Sequence, residues 1–116
     1  MRYVWTMTLK PGCAAEYQRQ HDEIWPDMLA TLEAAGMRNY SISRGGDLLV
    51  GVFETDDLAA MIKTLSASEA AGRWQRAMSQ LVNNERDPET GYLRLLEPVF
   101  WFGGSAAEGA SRKQDA

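Results

Sequence analysis

The sequence predicts an α+β domain of the ferredoxin-like βαββαβ plan, and three features of residue order lead to it. An apolar run of period two opens the chain, and stripes at helical spacing follow in two places. A Gly-Gly pair separates two further alternating runs between those helical regions.

The first element is a strand. From Arg2 to Lys10, Tyr3, Trp5, Met7 and Leu9 alternate with Val4, Thr6 and Thr8, all suited to a pleated surface, so both faces are expected to be at least partly covered. Pro11-Gly12 ends it with turn chemistry. Ala14, Tyr17, His21, Ile24, Trp25, Met28, Leu29 and Leu32 then form one helical stripe. On an unbroken helix Tyr17, His21 and Trp25 would stack along one face. Pro26 interrupts the stripe, because it lacks an N–H and its ring crowds the carbonyl of Asp22; a kink is expected, or a new helix with Pro26 in its first turn. Gly36 is placed to cap the helical region.

Met37 to Arg44 reads as the second strand, with Tyr40, Ile42 and Arg44 on one face and Asn39, Ser41 and Ser43 on the other. Gly45-Gly46 makes a hairpin, and Asp47 to Glu54 returns as the third strand. Thr55-Asp56-Asp57 offers N-caps for a helix through Met61, Ile62 and Leu65. Ser68 caps another from Glu69 to about Val82, bearing Trp74, Met78 and Leu81. Asn83 to Gly91 is polar, contains Pro88 and reads as a loop; part of Leu93 to Phe102 is expected to be the last strand. Residues 103–116 lack periodicity and are expected to be a disordered tail, leaving 1–102 as a single domain.

A sheet of this plan carries helices on one face only. Apolar residues on both faces of its strands therefore predict a second copy against the open face, a homodimer. The 116 residues suit one domain. Twelve basic and sixteen acidic side chains, interspersed along the chain, give a net charge of −4 and argue against a nucleic-acid partner. The single cysteine, Cys13, has no internal partner, and no apolar run approaches the about 18 residues of a membrane span. The expected compartment is the cytoplasm, with no membrane partner.

His21 is the only histidine and the one side chain whose ordinary pKa, about 6.5, suits proton exchange at neutral pH. A lone histidine on an apolar stripe is, however, more often a structural residue than a catalyst. Cys13 has no neighbouring partner that would activate it, and Asp22 and Glu23 point about 100° apart on a helix. One histidine, one cysteine and no clustered carboxylates predict no metal site. Tyr40 and Trp74 fit either a core stripe or a pocket beside the first helix.

The run Glu16-Tyr17-Gln18-Arg19-Gln20-His21-Asp22-Glu23-Ile24-Trp25-Pro26-Asp27-Met28, followed by Gly36-Met37-Arg38-Asn39-Tyr40-Ser41-Ile42, resembles the L-rhamnose mutarotase family. Asp47-Leu48-Leu49 with Glu54 downstream, Arg73-Trp74 ahead of Met78, and Glu97-Pro98-Val99-Phe100 extend the resemblance over residues 1 to 102. It implies a dimeric α+β barrel of ferredoxin-like protomers that needs no cofactor and acts on a small sugar. By the same resemblance His21 is the catalytic acid/base, and Tyr17, Tyr40 and Trp74 bind the sugar. Gln75 stands where family members often carry a second tryptophan, which bears on whether L-rhamnose, L-fucose or another deoxysugar is preferred. The fold also hosts cofactor-free monooxygenases and small-ligand binding modules, and these are the alternative readings.

Overall fold

The computed structural model describes residues 1–83 and 86–106. In chain order the elements are β1 (Arg2–Leu9), α1 (Ala14–Asp22), α2 (Pro26–Ala34), β2 (Arg38–Gly45), β3 (Leu48–Glu54), α3 (Leu58–Ala67), α4 (Glu69–Met78) and β4 (Val82–Asn83). The strands form one antiparallel sheet ordered β2-β3-β1-β4. This is the ferredoxin-like arrangement, with both helical regions broken in two. Residues 107–116, most of the expected tail, lie outside the described residues.

Strand register sorts the side chains into two layers. Tyr3, Trp5 and Met7 stand opposite Phe53, Gly51 and Leu49, and Ile42 and Arg44 oppose Gly51 and Leu49 in turn. This face carries the core: Trp5, Leu9, Leu49 and Phe53 are buried there, with Met61 of α3 packed against them. The other face shows Val4 opposite Val52 and Thr6 opposite Val50, with Ser41 and Ser43 beyond on β2. Those valines are only half-buried. No helix among the described residues is long and apolar enough to cross a membrane.

Local chemistry explains the breaks. Pro26 is the first residue of α2, where its missing N–H has no helical partner to lose; Trp25 before it is extended at φ −67°, ψ 139°, as the residue preceding a proline prefers. Gly36 closes α2 at φ +78°. Its N–H donates to Glu33 O, and the N–H of Met37 donates to Leu32 O, the paired bonds of a Schellman cap. Asp57 and Ser68 accept from the N–H groups of Ala60 and Ala71 and start α3 and α4. At the hairpin, Gly46 takes φ +61° as the first of two turn residues between the paired Gly45 and Leu48.

Two sequence expectations are corrected. The helix expected to run to about Val82 ends at Met78, and Val82–Asn83, partly assigned to a loop, is instead β4 against Thr8 and Leu9. Leu93 to Phe102 supplies no regular strand. It returns to β1 through a bridge from Leu95 to Trp5 and a bond from Leu96 N to Val4 O of 2.8 Å. The fourth strand position is thus filled twice, before and after an excursion bounded by the Arg86–Leu93 bridge. Asp87, Thr90 and Gly91 supply turn bonds that fold residues 86–93 back on themselves. A further irregularity, a bulge between Arg38 and Ser41, puts Asn39 at φ +50° and ties its side chain to Glu54, while Tyr40 packs inward against Phe53.

Gly51 is fixed by packing. A Cβ there would collide with the indole of Trp5, which lies across the strand as the floor of the core. Gly51→Ala should lower the unfolding free energy by about 1–3 kcal/mol, read as a lower urea midpoint at unchanged slope. An unchanged midpoint would mean that the indole can move aside freely.

Candidate active site

The helices do not close completely on the sheet. A cavity of about 570 Å³ remains between α1, α2, α4 and the core face of the strands, a size suited to a small ligand. Tyr17, His21, Tyr40 and Trp74, the four residues implicated by sequence, all line it.

Tyr17 and His21 are one helical turn apart on α1, and their rings tilt together at 4.2 Å between centroids. Trp74 of α4 meets His21 edge-on at 5.1 Å. The imidazole is therefore held between a phenol on its own helix and an indole from another. Trp25 departs from the expected stripe: α1 ends at Asp22, and Trp25, as the N-cap of α2, packs edge-on against Trp74 at 5.1 Å and does not line the cavity. Arg73 secures this corner. Its guanidinium lies 5.2 Å from the centre of the Trp25 ring and donates to Asp27 Oδ2 at 2.6 Å, tying α4 to the first turn of α2.

One hydrogen bond decides what His21 can do. Its Nδ1 lies 2.9 Å from the carbonyl oxygen of Tyr17. A carbonyl only accepts, so Nδ1 carries the hydrogen, and the neutral ring keeps its lone pair on Nε2. Burial lowers the pKa of His21, against weaker opposing effects of the Tyr17 carbonyl and the Asp22 carboxylate, so the neutral base is the form present at pH 7. Burial also pushes the Tyr17 phenol up to about 12 and raises Tyr40 further. Both remain protonated hydrogen-bond donors. A neutral base and two neutral donors around one cavity can move protons between sugar oxygens and hold the sugar while they move.

Sequence reasoning passed over several lining groups. Trp5 and Met7 of β1 form part of the floor; Arg86 reaches the cavity from the stretch read as a plain loop, and Tyr92 and Leu93 from just beyond it. The signal available there was an arginine and a tyrosine flanking Pro and Gly in an otherwise polar turn. Gln75 also lines the cavity. Cys13 is half-exposed and does not line it. Among the described residues, no group of three or more His, Cys, Asp or Glu side chains could hold a metal ion.

Known proteins resemble this chain in sequence and in fold. The model of the L-rhamnose mutarotase family matches residues 2–102. The L-rhamnose mutarotase of Jannaschia sp. (strain CCS1) is 35% identical over 102 residues, covering 85% of this chain and 95% of its own. The crystal structure of an L-rhamnose mutarotase from Formosa agariphila superposes with a TM-score of 0.70 at 23% identity over 88% of this chain and 98% of that one. The tetracenomycin F2 cyclase of Streptomyces glaucescens shares the fold, with a TM-score of 0.61 at 15% identity over 90% and 99% of the two chains.

The sign of the His21 shift sets a pH dependence. With the folded-state pKa below the unfolded value of about 6.5, the unfolded chain binds the extra proton first. The contribution of His21 to stability is complete above that value and falls as pH drops through it toward the folded pKa. An NMR titration of the single histidine should show a midpoint below 6.5, and His21→Gln should lessen the loss of stability between pH 7 and pH 5. A midpoint at or above 6.5 would contradict the neutral-base assignment.

Proposed function

The chain belongs to the L-rhamnose mutarotase family, and from that premise we infer that it is an isomerase interconverting the α and β anomers of L-rhamnose with His21 as its proton-transferring residue. The observation that carries the site assignment is the Tyr17 carbonyl bond, which leaves Nε2 of His21 unprotonated on a residue lining the cavity.

Anomer exchange needs few parts. Nε2 of His21 takes the proton of the anomeric hydroxyl, whose electrons form the aldehyde C=O as the bond from C1 to the ring oxygen breaks. The ring oxygen gains a proton from the Tyr17 phenol or from a water bound to it. Rotation about C1–C2 presents the other carbonyl face, and the same steps in reverse close the ring. Atoms and charges balance without oxidation or reduction. Trp74 and Tyr40 serve as walls against the apolar faces of the sugar, with the Tyr40 hydroxyl free to donate.

The same reading makes the protein a cytoplasmic homodimer. Val4, Val50 and Val52 form a half-buried apolar strip on the open sheet face, and Val99 and Phe100 beyond it are 94% and 84% exposed. So much uncovered apolar surface on a small domain favours a second copy against it. Light scattering should give about twice the chain mass of 12.9 kDa, and a monomer would contradict the dimer.

Saturation-transfer NMR on the anomeric protons of L-rhamnose observes the reaction at equilibrium. Wild-type protein should accelerate exchange, and His21→Gln should lose at least about 10²-fold while folding normally. Unchanged exchange in His21→Gln would remove His21 from the mechanism. L-Fucose run in parallel reports the sugar preference.

A further inference from the structure

The cavity has polar groups that the reaction just described does not use. Ring contacts divide the aromatics in and around it into two sets: Tyr17, His21, Trp74 and Trp25 form one, and Tyr3, Trp5, Tyr40, Phe53 and Tyr92 form the other, the latter beside the excursion that follows β4. That excursion is a small hairpin. Arg86 bridges Leu93, Asp87 N donates to Tyr92 O at 2.8 Å, and Gly91 N donates to Asp87 O at 2.8 Å, so Arg86 and Tyr92 reach the cavity from opposite arms of one stem.

Arg86 is held in place but underused. Nη1 donates to the carbonyl of Gly91 at 3.2 Å, whereas Nε is shielded from solvent and has no acceptor among the described residues. No carboxylate among the described residues forms an ion pair with it, unlike Arg19, Arg38 and Arg73. A second orphan donor lies in the same set. Trp5 is 1% exposed and lines the cavity, and its Nε1 faces the Tyr40 hydroxyl without meeting full hydrogen-bond geometry with any acceptor among the described residues. Burial lowers the pKa of Arg86 and pushes Tyr92 up to about 12, in keeping with donors withdrawn from water. Folded proteins rarely leave buried donors unmatched, and a guanidinium cannot shed its proton to escape the cost. Donors gathered around a cavity are matched when a ligand rich in acceptor oxygens enters, and a sugar ring is dense in them.

We propose that Arg86, with Tyr92 and the Trp5 indole N–H, forms a hydroxyl-reading subsite for the part of the sugar away from its anomeric carbon, with Arg86 as the specificity-determining residue. The proposal rests on the reading of the cavity as a sugar site. Binding made equally in ground and transition states changes affinity and spares the chemical step, which distinguishes Arg86 from His21.

The test measures the dissociation constant of L-rhamnose by calorimetry and the exchange rate at saturating sugar for wild type, Arg86→Met, Arg86→Lys and His21→Gln. Arg86→Met keeps an apolar stem of similar length and should weaken binding at least tenfold with the saturated exchange rate within about threefold of wild type. Arg86→Lys, which keeps the charge and loses the fork, should fall between the two. Of the singly deoxygenated L-rhamnoses, the one lacking the contacted hydroxyl should bind wild type and Arg86→Met equally. Binding by Arg86→Met within twofold of wild type overturns the proposal, as does a lowered thermal midpoint with unaltered affinity, the mark of a purely structural arginine. Should Arg86→Met not fold, Arg86→Lys decides by the same twofold limit. Full exchange by His21→Gln would fell the catalytic assignment while the affinities still decide Arg86; no saturable binding of L-rhamnose by wild type overturns both.

Discussion

Pro26 is the constraint from which the geometry of the site follows. A proline cannot donate the backbone bond that a continuing helix requires, so the first helical region stops at Asp22 and resumes at Pro26 with Trp25 extended between them. The break puts His21 in the last turn of α1, next to the end of the helix, and frees Trp25 to turn toward α4. There Arg73 covers its ring and joins α4 to Asp27, and the edge of Trp25 supports Trp74. Trp74 in turn walls His21 from the side opposite Tyr17's helix. A continuous helix would have carried the Tyr17-His21-Trp25 stripe along one line and left Trp74 without that support.

The opposite wall of the cavity depends on a different economy of space. Gly51 has no side chain, so the Trp5 indole can lie across β3 and make a flat floor. The excursion after β4 then lifts Arg86 and Tyr92 over the edge of the sheet instead of filling that edge with a continuous strand. Together these features leave a space in which a neutral imidazole, protonated phenols and a guanidinium line a common cavity. Burial is the shared cause of their altered proton affinities: it lowers those of His21 and Arg86 and raises those of Tyr17, Tyr40 and Tyr92. In each case the neutral form gains; His21 and the three phenols are neutral at pH 7, and Arg86 keeps its charge.

Much of this was legible in residue order because local physics dominated it. Pro26, Gly36, Asp57, Ser68 and Gly46 each impose a backbone geometry or supply a cap that tertiary contacts had no reason to override. The alternation in β1 and β3 marked both as strands. The four candidate site residues emerged by another route: spacing left His21 open to a structural role, and the resemblance carried by residues 16–28, Asn39-Tyr40-Ser41-Ile42 and Arg73-Trp74 added Tyr17, Tyr40 and Trp74 as candidate sugar contacts. What could not be read was long-range. The end of α4, the two-residue β4 and the return of Leu95 to Trp5 depend on where β1 offers unpaired backbone, and no pattern within residues 79 to 96 encodes that. The bulge at Asn39 is similar: one extra residue against β3 resets the faces before Tyr40, and alternation alone does not reveal it.

The central claim is that the neutral imidazole of His21 carries its hydrogen on Nδ1 and offers Nε2 to the sugar. The most direct measurement is the pair of imidazole ¹⁵N chemical shifts of this single histidine at pH 7.5, with and without L-rhamnose. The account predicts a protonated-type Nδ1, an unprotonated-type Nε2, and a change confined mainly to Nε2 when the sugar is added. A hydrogen on Nε2 with the lone pair on Nδ1, or an Nε2 indifferent to the sugar, would contradict it.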